Sequence, residues 1–153
     1  MPAIAGVLEA LPELTTQIVH GDLASPNLLL RGEKVAAVID FQPPRPRFLS
    51  WEIARIACDP RTVMVIDEWR ARLPDLLASY RAENPSITHD DLSSTVAIGC
   101  AYTVSSSYPL AEPIHNPGEV DPTLQAYARA RHDAALRMLA ELDSTPQLRR
   151  RHQ

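Results

Sequence analysis

The sequence predicts an α+β fold in which helices hold most of the mass. Residues 17–40 contain short apolar runs separated by a polar loop and a turn, as is typical of short strands. Residues 51–142 instead show apolar residues at helical spacing with recognisable capping signals. The chain has 153 residues, of which 45% are hydrophobic, so we expect a single domain with one core over residues 1–153.

The N-terminal part is predicted to be the end of a helix, followed by a strand and a loop. Residues 17–19 are a short, mostly apolar run and form a possible strand, and residues 20–27 are mostly polar and contain Gly21 and Pro26, which favour a loop. The helix end over residues 2–14 rests on apolar positions at three-to-four spacing, which are Ile4, Val7, Leu8, Leu11 and Leu14.

A β-hairpin is the clearest local signal in the chain. The apolar runs 28–30 and 35–39 flank a turn-forming segment, so we expect two buried strands that end at Asp40. Residues 42–47 contain three prolines, which remove backbone donors and restrict their neighbours. We therefore expect no regular element there.

Helices are predicted for the next part of the chain, residues 51–106. A short helix is expected over 51–58 and a longer one over 62–82, with Pro74 expected to kink or divide it. Thr88 is the predicted N-cap of a third helix, which runs to about Ser106 and has an apolar centre that we place in the core.

The C-terminal part is predicted to be a loop, a last helix and a tail. Residues 109–117 are proline-rich and are expected to form a loop. Asp121 and Pro122 are suited to begin a helix that ends near Leu142. Residues 143–153 are expected to form a flexible, solvated tail.

Composition excludes several classes of protein. The net charge of −4 argues against nucleic-acid binding, and no apolar run of about 18 residues predicts a membrane span. The N-terminus does not resemble a signal peptide. Cys58 and Cys100 form no C-x-x-C pair and are predicted to be buried free thiols, which favours a cytoplasmic location.

Three oxygen-bearing side chains are expected to converge at the open end of the hairpin. Asp22 and Asn27 are five residues apart in one loop, and Asp40 ends the hairpin that begins at Asn27. One carboxylate can accept the proton of an attacking hydroxyl, while hard oxygen ligands hold Mg²⁺ against nucleotide phosphates. The set indicates phosphoryl transfer. In the alternative interpretation, the three residues cap a turn, satisfy loop backbone and end a strand.

The segment His20-Gly-Asp22-x-x-x-x-Asn27, the hairpin and Ile39-Asp40-Phe41 resemble the aminoglycoside phosphotransferase and choline-kinase-like family. The resemblance implies a protein-kinase-like fold, of which this chain would be the C-terminal lobe. Its catalytic loop would be residues 18–30, its hairpin and metal segment 28–41, and its helical part 51–142. Transfer of the γ-phosphate of ATP or GTP to a hydroxyl of a small molecule, such as an aminoglycoside or amino alcohol, is implied.

Residue roles follow from the same resemblance. Asp22 would be the catalytic base, and Asn27 and Asp40 would bind Mg²⁺ and the nucleotide. His20 would be a structural member of the loop. Trp51-Glu52-Ile53-Ala54 resembles the family's Trp-Asp-Leu-Ala helix start, so Glu52 would support the active-site loop.

The chain also departs from the family pattern. Ala24 and Pro26 stand where the family often has His and Gly, and Gln42 follows the Asp-Phe pair. A Pro-Pro-Arg-Pro-Arg segment then replaces the usual Gly-Asp-Pro. Its Arg45 and Arg47 are either contacts for an anionic group near the metal or solvated loop residues.

An N-terminal lobe is not expected within this chain. Only 17 residues precede the catalytic loop 18–30, they contain no Gly-rich loop, and the single lysine, Lys34, lies at the predicted hairpin tip. Two functions stay open: the catalytic half of a truncated or split kinase, and a non-catalytic remnant that binds a ligand or a partner. A partner bearing an N-lobe, or a second copy, is expected to cover the exposed face of the lobe.

Overall fold

The computed structural model describes residues 5–6, 9–58, 69–118 and 120–143. Within these ranges the chain is mostly helical and carries two small antiparallel sheets of two strands each, so the predicted α+β class is confirmed. The predicted tail beyond residue 143, the first part of the predicted helix 62–82 and part of the N-terminal helix lie outside the described residues. Residues 11–15 are not helical, so the N-terminal helix ends earlier than the predicted residue 14.

The strands flank the polar loop. β1 (Thr16–Ile18) pairs with β4 (Pro46–Phe48), and β2 (Leu28–Arg31) pairs with β3 (Lys34–Val38). The prediction that residues 42–47 hold no regular element is wrong for its last two residues. Pro46 begins β4, and the first residue of a strand in a two-stranded sheet is a position where proline is tolerated.

The hairpin of β2 and β3 forms as predicted, but the prediction that its strands are buried is wrong. Leu30 is 64% exposed and Val35 is 56% exposed. The two strands pair with each other, while no described helix packs across them as a second layer. Their apolar side chains therefore face outward.

Five helices follow the N-terminal segment in the described residues: α1 (Leu49–Ala57), α2 (Trp69–Glu83), α3 (His89–Ser105), α4 (Glu112–His115) and α5 (Pro122–Asp143). α1 begins two residues before the predicted start, and α2 runs through Pro74 without being divided. The prediction of a loop throughout 109–117 is wrong, because α4 lies within it. Proline is accepted in the first turn of α4, where backbone N–H groups have no helical partner.

The core lies where α1 and α5 pack on α3. Ala57, Cys100, Ala135 and Met138 are almost wholly removed from solvent. A Cβ on Gly99 of α3 would lie 2.7 Å from the Sγ of Cys58, so the two helices approach at a point that only glycine allows. Cys58 and Cys100 are buried and free, as predicted. A hydrogen bond to Cys58, together with burial, raises the pKa of the Cys100 thiol.

A buried carboxylate joins the helical part to the N-terminal segment. Thr88 caps α3, and its Oγ1 accepts from the Asp91 amide at 3.0 Å, which confirms the predicted N-cap. Asp91 in turn accepts from the amide of Thr15 at 2.9 Å and from its hydroxyl at 2.8 Å. Thr15 directly precedes β1, so this contact fixes where that strand enters. Similarly, Asp121 accepts from the Thr123 amide at 2.8 Å, as expected of the N-cap of α5.

No helix among the described residues is long and apolar enough to cross a membrane.

Candidate functional site

His20 joins the polar loop to the end of the hairpin. The imidazole is buried; its Nδ1 accepts from the Asp22 amide at 3.2 Å and its Nε2 lies 2.8 Å from the carbonyl oxygen of Ile39. Because Nδ1 acts as an acceptor, the proton belongs on Nε2, which donates to Ile39. Both ring nitrogens are therefore engaged with backbone, which suits the structural role implied for this residue.

Gly21 lets the segment after Asp40 lie directly against this loop. Its φ of 87° belongs to the left-handed region, and a Cβ there would lie 2.7 Å from the Cβ of Gln42. The Gln42 amide donates to the carbonyl oxygen of His20 at 3.0 Å. The position of Gln42 is thus set by the loop that holds Asp22.

Asn27 holds Asp22 in place from within the same loop. Its Nδ2 donates to the Asp22 carbonyl oxygen at 2.8 Å and to the Asp22 Oδ2 at 3.1 Å. A single 3-10 turn over Ser25–Asn27 provides this arrangement. Because Nδ2 is occupied by Asp22, the Oδ1 of Asn27 is the atom left to bind a ligand.

Asp40 is brought to the same end of the hairpin. The Ile39 amide donates to the carbonyl oxygen of Asn27 at 3.0 Å, so Asp40 follows the residue that pairs with Asn27. Asp40 is exposed and has a φ of 62°, which is uncommon for a residue other than glycine. Such strained positions cluster at functional sites.

Arg55 is a site residue that sequence reasoning missed. Its Nη2 forms an ion pair with the Oδ1 of Asp22, whose side chain remains 34% exposed. A charged residue in a short amphipathic helix is expected to face solvent, and Arg55 is separated from Asp22 by 33 positions. Its place three residues after Glu52, on the same side of α1, was the available signal.

Glu52 lies beneath the loop. Its side chain is 7% exposed. Burial raises the pKa of its carboxyl, and backbone groups of Gly21 and His20 partly offset this rise. Neither carboxylate oxygen has a hydrogen bond of ordinary geometry to the described residues. The Glu52 carboxyl thus lies next to the backbone of the loop, and its supporting role stays a prediction.

A cleft of about 720 Å³ opens beside Asp22 and Asn27. The polar loop, α1, α3 and α5 contribute to its wall. In the part of the chain that the structure describes, one carboxylate, Asp22, and four arginines line it; the arginines are Arg45, Arg47, Arg55 and Arg131. Aromatic rings form much of the remaining surface, from Trp51, Tyr102, Tyr108 and Tyr127.

Among the described residues, no three His, Cys, Asp or Glu side chains are grouped so as to hold a metal ion. A site built on Asn27 and Asp40 would supply two protein oxygens. Such a site suits Mg²⁺, which typically takes one or two carboxylates and completes its shell with water and phosphate oxygens.

Comparison with known proteins adds one finding. The model of a family described as "phosphotransferase enzyme family" matches residues 2–84, just over half of the chain. The matched range contains the whole motif from His20 to Glu52 and confirms the resemblance seen in the sequence. No curated protein and no solved structure matches the chain.

Proposed function

The chain belongs to the phosphotransferase enzyme family, and on that premise we propose that it is the catalytic half of a small-molecule kinase. In this proposal it forms the C-terminal lobe of a protein-kinase-like fold. The reaction is the Mg²⁺-dependent transfer of the γ-phosphate of ATP or GTP to a hydroxyl group.

One observation carries the proposal. Asp22 stands in the wall of the cleft with both carboxylate oxygens oriented, Oδ1 by Arg55 and Oδ2 by Asn27. Each carboxylate oxygen has a second lone pair, so Asp22 can still accept a hydrogen bond from a bound hydroxyl. A carboxylate held this way and partly exposed is suited to a base that must be fixed before substrate arrives.

In the proposed reaction, Asp22 takes the proton of the acceptor hydroxyl while the hydroxyl oxygen forms a bond to the γ-phosphorus. The bond from that phosphorus to the β–γ bridging oxygen breaks, and the nucleoside diphosphate leaves with the bridging oxygen. Arg55 and Asn27 keep the carboxylate from rotating during this step. His20 and Gly21 maintain the loop geometry on which this alignment depends.

Asn27 and Asp40 would hold Mg²⁺. The Oδ1 of Asn27 is left free by the contacts of its amide nitrogen, and Asp40 is exposed at the same end of the hairpin. Both are hard oxygen donors, so the residues present fit the ion. When bound, Mg²⁺ neutralises charge on the nucleotide phosphates.

The nucleotide base is proposed to bind over the hairpin side of the lobe. A shallow apolar depression there is lined by Ile18, Phe41 and Pro43, and Phe41 is 68% exposed. β2 and β3 also expose apolar side chains, which add to the uncovered apolar surface. We propose that an N-lobe-bearing partner, or a second copy of the chain, covers it and completes the nucleotide pocket.

Nucleotide binding by the full chain is the first test. Thermal unfolding would be followed with ATP and with GTP, each with and without Mg²⁺, for the native chain and for Asp22→Asn, Asp40→Asn and Asp133→Asn. Asp133 is exposed on α5, so its change is a matched control. Turnover would be measured by release of the labelled γ-phosphate.

We expect nucleotide to raise the midpoint only with Mg²⁺, in the native chain and in Asp133→Asn. In Asp40→Asn, nucleotide together with Mg²⁺ should no longer raise the midpoint. Asp22→Asn should keep binding while turnover falls about 10³-fold or more, as when a general base and its orientation are lost. Binding that is equally tight without Mg²⁺, or with Asp40→Asn, would refute the metal site.

A non-catalytic binding module is the second candidate, and the exposed apolar hairpin favours it. Under this alternative the chain retains the cleft but recruits a partner over β2 and β3. Absence of nucleotide binding at millimolar concentration, together with concentration-dependent self-association, would support this alternative over the kinase.

A further inference from the structure

We propose that the acceptor is an anionic hydroxyl compound, carrying a carboxylate or a phosphate, and that the cleft disfavours polycationic aminoglycosides. This inference rests on the proposed kinase function and specifies the substrate class of the same site. It comes from the charge of the cleft beside Asp22, which is opposite to that of the chain as a whole.

The charge contrast is the first step. The whole chain has a net charge of −4, yet the described residues of the cleft wall hold four guanidinium groups and one carboxylate. The Asp22 carboxylate is met by Arg55. No described carboxylate forms an ion pair with Arg47 or Arg131. The cleft therefore keeps an excess of positive charge facing its interior.

The second step is that aromatic rings position these cations. Arg47 lies over the ring of Trp51 at 4.7 Å and Arg131 lies over the ring of Tyr102 at 5.9 Å. The two rings pack edge to face with their centres 5.6 Å apart. Arg47, Arg55 and Arg131 thus surround one aromatic pair, and we call these three residues the arginine wall.

The stacked guanidinium groups are also oriented to bind an anion. A guanidinium that stacks on a ring leaves the N–H groups along its edge available, and that edge matches the two oxygens of a carboxylate or phosphate. Arg131 is also oriented by a long contact of 3.4 Å from its Nη2 to the Thr103 Oγ1. The Nε of Arg55 is buried without a hydrogen-bond partner among the described residues. The arginine wall therefore has N–H groups that remain to be used.

The same positive charge disfavours a cationic acceptor. An aminoglycoside would place several ammonium groups beside these guanidiniums, and like charges brought together at a binding surface oppose association. Among the described residues that line the cleft, Asp22 is the one carboxylate that could offset them, and it is already paired with Arg55. A simple amino alcohol also carries an ammonium group near neutral pH and is opposed in the same way, whereas an anion gains an ion pair.

A matched series of sugars tests the proposal. Glucuronate, glucose 6-phosphate, glucose and glucosamine share a hydroxylated ring but carry a carboxylate, a phosphate, no charge and an ammonium group. Their binding to the full chain would be measured by NMR titration, first without nucleotide and then with a saturating non-hydrolysable ATP analogue and Mg²⁺. The variants are Arg47→Gln, Arg131→Gln and Arg131→Lys, and the control is Arg137→Gln, exposed on the same helix.

We expect an anionic sugar to bind at least about tenfold more tightly than glucose, and glucosamine to bind more weakly than glucose. Arg47→Gln and Arg131→Gln should each reduce the anion preference several-fold, and Arg131→Lys should keep part of it because charge remains while the planar fork is lost. Arg137→Gln should behave as the native chain. The ratio between glucuronate and glucose 6-phosphate then identifies a carboxylate or a phosphate.

Equal binding of glucosamine and glucuronate, or an anion preference unaffected by both glutamine variants, would overturn the proposal. Loss of anion binding when the ATP analogue is added would also overturn it, because the arginines would then serve the nucleotide phosphates. These readouts require no turnover. Failure of the kinase proposal, seen as absent nucleotide binding, is therefore distinguishable from failure of the acceptor proposal.

Discussion

The helical core of this chain buries its apolar residues, whereas the hairpin exposes them to solvent. Where α1, α3 and α5 meet, Met138 and Cys100 are withdrawn from solvent, whereas Leu30 and Val35 of the hairpin are more than half exposed. Both regions are rich in apolar side chains, so composition does not distinguish them. The difference indicates that stability resides in the helical core. The hairpin instead positions Asn27 and Asp40 and presents an exposed apolar surface.

Truncation in the core should have the largest effect on stability. Met138→Ala removes a buried side chain, and such changes cost about 2 to 5 kcal/mol. Leu30→Ala, in the exposed part of the hairpin, should change the free energy of unfolding by less than about 0.5 kcal/mol. Urea denaturation measures both, and similar losses for the two variants would remove the distinction between the regions.

Overpacking at the crossing of α1 and α3 should come next. In Gly99→Ala the new Cβ would lie 2.7 Å from the Cys58 Sγ and 2.9 Å from the Ala54 Cβ, so the helices must separate at a cost of about 1 to 3 kcal/mol. Gly118→Ala is the control, because nothing lies within 4 Å of a Cβ there. The thermal midpoints of the two variants give the comparison, and an unchanged Gly99→Ala would mean that the crossing is looser than described.

Loss of the α3 cap should cost about 1 kcal/mol. Thr88→Ala removes the hydroxyl that pairs with the Asp91 amide, while Asp91 keeps its contacts with Thr15. Thr123→Ala, an exposed threonine in the first turn of α5, is the matched control. Chemical denaturation that gave equal midpoints for these two variants would count against the capping box.

Acid should weaken the link between α3 and β1. Burial alone would raise the pKa of Asp91, but hydrogen bonds from Thr88 and Thr15 outweigh it and hold the pKa below its ordinary value of 3.8. The stability from the ionised carboxylate is therefore present above about pH 3.8 and is lost as pH falls through the lower folded value. Unfolding curves between pH 5 and pH 2 should show this loss, and Asp91→Asn should flatten it. A slope unchanged in Asp91→Asn would assign the acid sensitivity to other carboxylates.

Substitutions in the hairpin should have the smallest effect on stability but should change association measurably. Replacing both Leu30 and Val35 by threonine keeps strand propensity while removing exposed apolar surface. The free energy of unfolding should hardly change, while self-association measured by sedimentation should decrease. A large loss of stability would show that the hairpin belongs to the folded core after all.

Local sequence was sufficient for the loop and for most of the elements. The spacing of Asp22 and Asn27, the turn between β2 and β3, and the caps Thr88 and Asp121 act over a few residues, so the pattern alone determines them. The same holds for the apolar centre of α3, whose residues have no polar face to turn toward water.

Longer-range features could be decided only by the tertiary structure. Arg55 contacts Asp22, from which it is separated by 33 positions. The three residues of the arginine wall come from β4, α1 and α5, and no local sequence pattern relates these elements. The exposure of the hairpin also depends on what packs over it rather than on its own apolar residues. The sequence thus determined which residues have the chemistry, and the packing of distant helices decided which charges surround them, because side chains far apart in sequence meet only when the chain has folded.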